Sequence, residues 1–306
     1  MPAARDNPGA GVRLRFHAMR LGEAHHDDFG NTHSNHKGDP VKGHIPAATA
    51  MLVLSVSAAT SFAQTTAPAA SPAVPAATPA AAAAKPTINA EALERLKAMG
   101  AHLRSLKAFT VTADVTNDLV LDSGQKVETA QKVEMSARMP NMLAVSIQSP
   151  LKSRKIVYDG KTVTVYGEKL GYYGVFPAPD TIGATVEAAS KKYGIEVPLA
   201  DLFLWGTAKS DFGVITEALY TGPQRVGGVL CDNFAFRQPD VDWQVCIERG
   251  KNALPRKLIV TTTDVTERPQ HRSVLTWKPG VAPAAAGFTF KPPKDAKRIA
   301  VKEMAS

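Results

Sequence analysis

Several short signatures of large enzyme classes are missing from this 306-residue sequence. It holds no G-x-S-x-G elbow, no phosphate-binding glycine loop, no G-x-G-x-x-G and no C-x-x-C. Histidine is scarce where it would matter. Six of the eight lie before residue 45, leaving only His102 and His271, about 170 residues apart. His102 falls in a helical pattern, and His271 follows a turn expected at Glu267–Gln270, so both read as surface or capping residues. Asp240 and Asp242 resemble a carboxylate pair, but they flank a turn, where carboxylates are usually solvated. No catalytic residue, metal site or cofactor is therefore expected. The His25-His26-Asp27-Asp28 cluster has the right residue types for a metal, yet no packed element fixes its geometry. Long hydrophobic runs are absent as well. The apolar stretch Ala47–Ala59 is well short of the ~20 residues a bilayer-spanning helix needs.

That short stretch has a different meaning. Lys42 and His44 precede it, Met51, Leu52, Val53, Leu54 and Val56 form its centre, and Ser61-Phe62-Ala63 follows. A basic start, a short apolar region and small residues before the cut describe a secretion signal cleaved between Ala63 and Gln64. The signal is assigned to residues 41–63. Residues 1–40 are expected to be a disordered extension, or sequence upstream of a true start at Val41. Gln64 and not a cysteine stands directly after the cleavage site, which argues against a lipid anchor. Residues 64–86 are almost entirely Ala, Pro, Thr and Ser. They cannot bury a core and read as an extended spacer.

Residues 87–306 remain as a single domain of about 220 residues, long enough for one sizeable core. With 44% hydrophobic and 21% charged residues, the chain is globular rather than disordered. From residue 64 onward, 30 Lys and Arg face 23 Asp and Glu, scattered rather than clustered. The excess suits attraction to an anionic envelope surface, or simple solubility, and not nucleic-acid binding.

Periodicity supplies the elements. Thr87 or Asn89 can cap a helix with Leu93, Leu96, Met99, Leu103 and Leu106 on one face. Phe109, Val111, Ala113 and Val115 alternate as a strand. A Ser123-Gly124-Gln125 loop would set Val115 against Val133 and Ala113 against Met135. A second hairpin turns at Asp159-Gly160 between Ile156–Tyr158 and Val163–Val165. Helical stretches are expected over Thr181–Tyr193 and Val197–Trp205. Strands follow at 226–237, 241–248, 256–264 and 271–278, with a short one at Phe288–Lys291. Helices are too few for a parallel α/β sheet. The fold class is α+β, mainly antiparallel, curled into a barrel or half-barrel with an N-terminal helix and lid helices.

The two cysteines, Cys231 and Cys246, both fall in the exported part, where an oxidising space permits a disulfide. A turn at Gln238-Pro239 would bring them directly opposite each other. The large apolar and aromatic residues Tyr172, Tyr173, Phe176, Leu202, Phe203 and Trp205 lie in or beside a stretch that interrupts the strands. They would either line a cavity for acyl chains or fill a closed core.

Four motifs carry a family resemblance: Tyr158-Asp159-Gly160-Lys161, Asp240-Val241-Asp242-Trp243-Gln244, Leu254-Pro255-Arg256-Lys257-Leu258 and Phe288-x-Phe290-x-Pro292-Pro293-x-x-Ala296. In this order they resemble a bacterial family of predicted periplasmic proteins with a domain of unknown function. That family is in turn similar to the LolA/LolB-type lipoprotein carriers. The resemblance implies a half-open antiparallel barrel whose hydrophobic concavity is lidded by helices. It also implies a periplasmic location, and likeness to the soluble carrier rather than the anchored acceptor. Sensors of envelope stress share the fold, so two functions are expected. One is a periplasmic binder of a hydrophobic ligand, a lipid or a lipoprotein; the other is a module that holds an envelope protein partner. Neither requires a transmembrane segment in the mature chain.

Overall fold

The structure, a computed structural model, describes residues 87–304 except Lys209 and Asp211. The extension at 1–40, the signal at 41–63 with its cleavage between Ala63 and Gln64, and the spacer at 64–86 lie outside the described residues. Helix α1 (Ala90–Ser105) leads into six strands: β1 (Ala108–Val120), β2 (Lys126–Arg138), β3 (Met142–Gln148), β4 (Ser153–Tyr158), β5 (Thr162–Gly167) and β6 (Tyr172–Pro177). Helix α2 (Ile182–Tyr193) and two 3-10 turns follow. Then come β7 (Glu217–Val226), β8 (Val229–Gln238), β9 (Val241–Glu248), β10 (Pro255–Thr262), β11 (Gln270–Pro279) and the short β12 (Lys297–Ile299). All the strands share one sheet, in the order β12-β6-β5-β4-β3-β2-β1-β11-β10-β9-β8-β7. Two antiparallel meanders are thus joined where β1 meets β11, and β12 runs parallel to its neighbour β6. The outermost strands, β12 and β7, do not pair with each other, so the sheet is an open, curled one. The α+β, mainly antiparallel class holds.

One face of this sheet carries the core. Asn89 caps α1 by accepting from the Ala92 N–H at 2.9 Å, and Ala92, Leu96, Met99 and Leu103 are buried against the sheet. Val111, Ala113, Val133, Met135, Val145, Ile156, Phe236, Trp243 and Val245 face them from the strands.

Three local readings change. In the first hairpin, Val111 pairs with Met135 and Ala113 with Val133, so the loop is Asp122-Ser123-Gly124. Gly124 (φ +79) takes the left-handed third place that closes a three-residue loop, which moves the register by two and preserves the inward face. In the second case, Val197–Trp205 is not a helix but a 3-10 turn over Ala200–Phe203. Third, Phe288–Lys291 is no strand. Ala285–Phe288 is a 3-10 turn that buries Phe288. Strands β3, β6 and β7 were not legible as such. β6 is half glycine and tyrosine, and β7 is mostly exposed.

Cys231 and Cys246 are joined, with Cα atoms 5.5 Å apart. The register around them differs from the expected one. The turn is Pro239-Asp240, Cys231 lies opposite Glu248 and Cys246 opposite Asn233, so the bridge is diagonal. Diagonal neighbours on adjacent strands are still within reach. Both cysteines are fully buried with Val226 on the face away from α1, under Val274. The closed loop is short, and the chain-entropy model gives about 3 kcal/mol for such a bridge. We expect Cys246→Ser to lower the melting temperature without abolishing folding. A non-reducing melt identical to wild type would show that the bridge is not formed in the native protein.

Candidate functional site

Topology creates the site. Strand β6 lies beside one edge of the sheet and β7 is the other edge, so the chain from 178 to 216 must cross the whole sheet. Its large apolar side chains, Ile182, Val186, Leu202, Phe203 and Trp205, place it on the apolar face. Tyr158, buried on β4, donates to the Pro179 carbonyl at the start of the crossing. Thr181 caps α2, Gly194 ends it in a left-handed conformation, and Ile182, Val186 and Ala189 are buried.

The next stretch is bracketed by two left-handed residues, Leu199 (φ 60) and Gly206 (φ 76). A leucine in this region is strained by roughly 1–2 kcal/mol. Between them lie Leu202, Phe203 and Trp205, which are 3%, 2% and 1% exposed. Phe176, at 4%, joins the same core and meets the ring of Tyr193 at 4.2 Å. Phe203 lies 6.0 Å from Phe109, whose ring is 5.2 Å from Trp277. Four of the six sequence candidates are thus brought together, packed against protein. Tyr172 sits half-buried at the start of β6 beside β12. Tyr173 points to the opposite face, where its ring meets Phe290 at 5.4 Å.

The polar contacts of this segment were not evident in the sequence. Arg104, from the last turn of α1, donates to the carbonyls of Phe203 (3.0 Å) and Leu202. Burial pushes the pKa of its guanidinium down. Among the described residues, Arg104 Nε and Trp205 Nε1 are buried donors with no hydrogen-bond partner, an uncommon state for interior N–H groups. Gly100 and Gly206 let the helix and the segment touch. A Cβ on Gly100 would lie 2.7 Å from the Gly206 nitrogen. One signal was available beforehand: a glycine in the middle of a helical run weakens it by about 1 kcal/mol and implies a packing reason. Asp201 is half-buried, and burial, reinforced by the charge of Glu196, pushes its carboxyl up to about 7.

The remaining sequence candidates lie elsewhere. Asp242 is held by Arg237 and Arg268, which keep its carboxyl below the usual range, while Asp240 stays in the turn. His271 is not a surface residue. It is half-buried on β11, with Nδ1 2.6 Å from Asn117 Oδ1 and Nε2 2.8 Å from Ser273 Oγ. The series resembles a nucleophile, a base and an orienting amide. Ser273, however, has no exposed surface, so no substrate can reach its oxygen. The three groups tie β1 to β11. Among the described residues no cluster of His, Cys, Asp and Glu could hold a metal, and no helix is long and apolar enough to cross a membrane.

Gly100→Ala should lower stability by roughly 1–3 kcal/mol through overpacking, the reverse of the gain expected for that change on an exposed helix. An unchanged or higher melting temperature would contradict the close crossing. The two titrating groups predict opposite pH limbs. Asp201 holds its proton to about pH 7 when folded but only to about 4 unfolded. Its contribution is complete below the unfolded value and is lost as pH rises through the folded one. His271 is pushed down by burial, so its contribution is complete above about 6.5 and is lost as pH falls through its lower folded value. Melting curves across pH should show Asp201→Asn flattening the upper limb and His271→Gln the lower. Parallel profiles for wild type and Asp201→Asn would contradict the assignment.

A model of the family described as "Predicted periplasmic protein (DUF2092)" matches residues 92–302. No curated protein matches this sequence. Among solved structures, an uncharacterized conserved protein from Thermus thermophilus is 14% identical, covering 69% of this chain and 99% of that one, at a TM-score of 0.39. The Mycobacterium tuberculosis lipoprotein LppX is 9% identical over 61% and 93%, at 0.38. A LolA superfamily protein from Nitrosomonas europaea is 10% identical over 65% and 97%, at 0.34.

Proposed function

This chain belongs to the DUF2092 family of predicted periplasmic proteins, and from that premise we propose that its concave sheet face binds an apolar ligand, an acyl chain, in the periplasm. One observation carries the reading. The side chains filling the concavity, Leu202, Phe203 and Trp205, are supplied by the crossing connection and not by the strands. They can leave the apolar face without breaking any strand pairing. Burying each contributes roughly 1.5–3 kcal/mol, and an acyl chain in their place would recover a comparable amount. Phe176 from β6 would remain as part of the wall, and Tyr172 would stand at its margin.

The polar groups suit the same ligand. Arg104 Nε and Trp205 Nε1 are unpartnered donors in an otherwise apolar setting. A carbonyl or carboxylate at the head of an acyl chain is an acceptor that would satisfy Arg104, which stays on α1 when the segment leaves. Leu199 and Gly206 are the backbone points at which the segment would swing, since both already hold left-handed conformations.

The test is binding of a fluorescent fatty-acyl probe, with thermal stability measured on the same variants. Wild type should bind, and Phe176→Glu or Phe176→Asp, which charge the wall that stays behind, should weaken binding at least tenfold. Native mass spectrometry of protein drawn from the periplasm should show co-purified lipid. If wild type binds the probe no better than an unrelated periplasmic protein and the substitutions only destabilise the fold, the acyl reading is lost. A stoichiometric protein in the native spectrum would put a partner-binding role in its place.

A further inference from the structure

The first hairpin projects beyond the rest of the sheet. β2 pairs with β1 as far as Lys126, opposite Val120, but its pairing with β3 stops at Lys132, opposite Gln148. Among the described residues, 126–131 therefore have a strand on one side and none on the other, and 126–130 are all exposed. The hydrogen-bond phase of this edge follows from the turn. Leu121 N–H donates to the Gln125 carbonyl at 2.9 Å, so the odd residues of β2 bond to β1. By strict alternation in an antiparallel ladder, Lys126, Glu128 and Ala130 aim their N–H and C=O groups outward at the empty side. A groove of ≈ 480 Å³ lies at the inner end of this edge, lined by Ala130, Lys132, Gln148, Pro150 and Arg272 among others. Open strand edges are usually shortened, covered or paired.

We propose that two copies of this chain pair through this edge, β2 against β2 in antiparallel fashion, about a two-fold axis at Val127. The sequence is self-complementary in that register. Lys126 of each copy faces Glu128 of the other, with both residues in the outward-bonding phase, so each pair exchanges both of its backbone bonds. Val127, 37% exposed in the single chain, meets its own counterpart across the axis. Lys126 already lies 3.2 Å from Asp118 and can be shared between the two carboxylates. The tip also fits. The turn of one copy, with exposed Asp122, arrives at the groove of the other, where Lys132 and Arg272 supply positive charge. A two-fold axis one residue further along, at Glu128, would set Glu128 against itself, and directly opposed like charges disfavour it. The contact is small, so the dimer belongs with weak, reversible interfaces.

The whole chain should show concentration-dependent dimerisation by sedimentation velocity. Val127→Cys should cross-link to a disulfide dimer on mild oxidation, and Thr129→Cys, displaced along the strand from its counterpart, should not. Glu128→Lys alone and Lys126→Glu alone should each weaken association at least tenfold, because each opposes like charges across the axis. An equimolar mixture of these two variants should recover a heterodimer, since the charges then alternate in sign. This rescue separates the interface from a folding defect. A wild-type chain that stays monomeric up to roughly millimolar concentration, cross-linking at Thr129 in preference to Val127, or a mixture that fails to associate would each overturn the proposal.

Discussion

One connection constrains everything else: the chain leaving β6 must traverse the full sheet to begin β7. A segment of this length cannot cross on the solvent side without exposing Ile182, Val186, Leu202, Phe203 and Trp205, so it lies on the apolar face. Helix α1 occupies the same face, and the two must pass one another. Gly100 and Gly206 make the passage possible, because neither has a Cβ at the point of contact. Arg104, partly buried there, binds the carbonyls of the segment, which otherwise would have been left unpaired. The raised carboxyl of Asp201 is a further consequence of the same burial.

The opposite face is organised differently. It has small separate clusters instead of a continuous core: the disulfide with Val226, and the C-terminal segment laid across β5 and β6. Phe290 meets the rings of Tyr166 and Tyr173, while Phe288 lies under the guanidinium of Arg138. The segment then rounds the β6 edge as β12, and Met304 N–H reaches the Lys192 carbonyl of α2 at 2.7 Å. The terminal aromatic motif thus fastens the chain end to the sheet and covers one of its edges. At the other edge, β7 carries Pro223 and an irregular register near Tyr220 and Gly222, both of which discourage further pairing. Among the described residues, the projecting edge of β2 has no comparable cover.

Where local chemistry was decisive, it was legible. The cap of α1, the helix ending at Tyr193, the Asp159-Gly160 hairpin and the pairing of the two cysteines all depend on residues close in sequence or on alternation along two adjacent strands. Both hairpin registers shifted by two residues for one reason. A two-residue slip keeps every side chain on its own face, so hydrophobic pattern cannot distinguish the alternatives. Turn chemistry decides instead, through the left-handed Gly124 in one hairpin and Pro239 entering the loop of the other.

The sequence by itself determined the export signal as an expectation, the α+β class, the antiparallel hairpins and the set of large apolar residues between Tyr172 and Trp205. These follow from composition, period and turn residues, which act over a few positions. Tertiary structure alone decided that Phe176, Leu202, Phe203 and Trp205 share one core while Tyr173 faces away. It also placed Arg104 on the crossing segment and His271 between Asn117 and Ser273. Those juxtapositions join residues up to 154 positions apart. They depend on strand order across the sheet, and periodicity within a strand carries no information about which strand lies beside it.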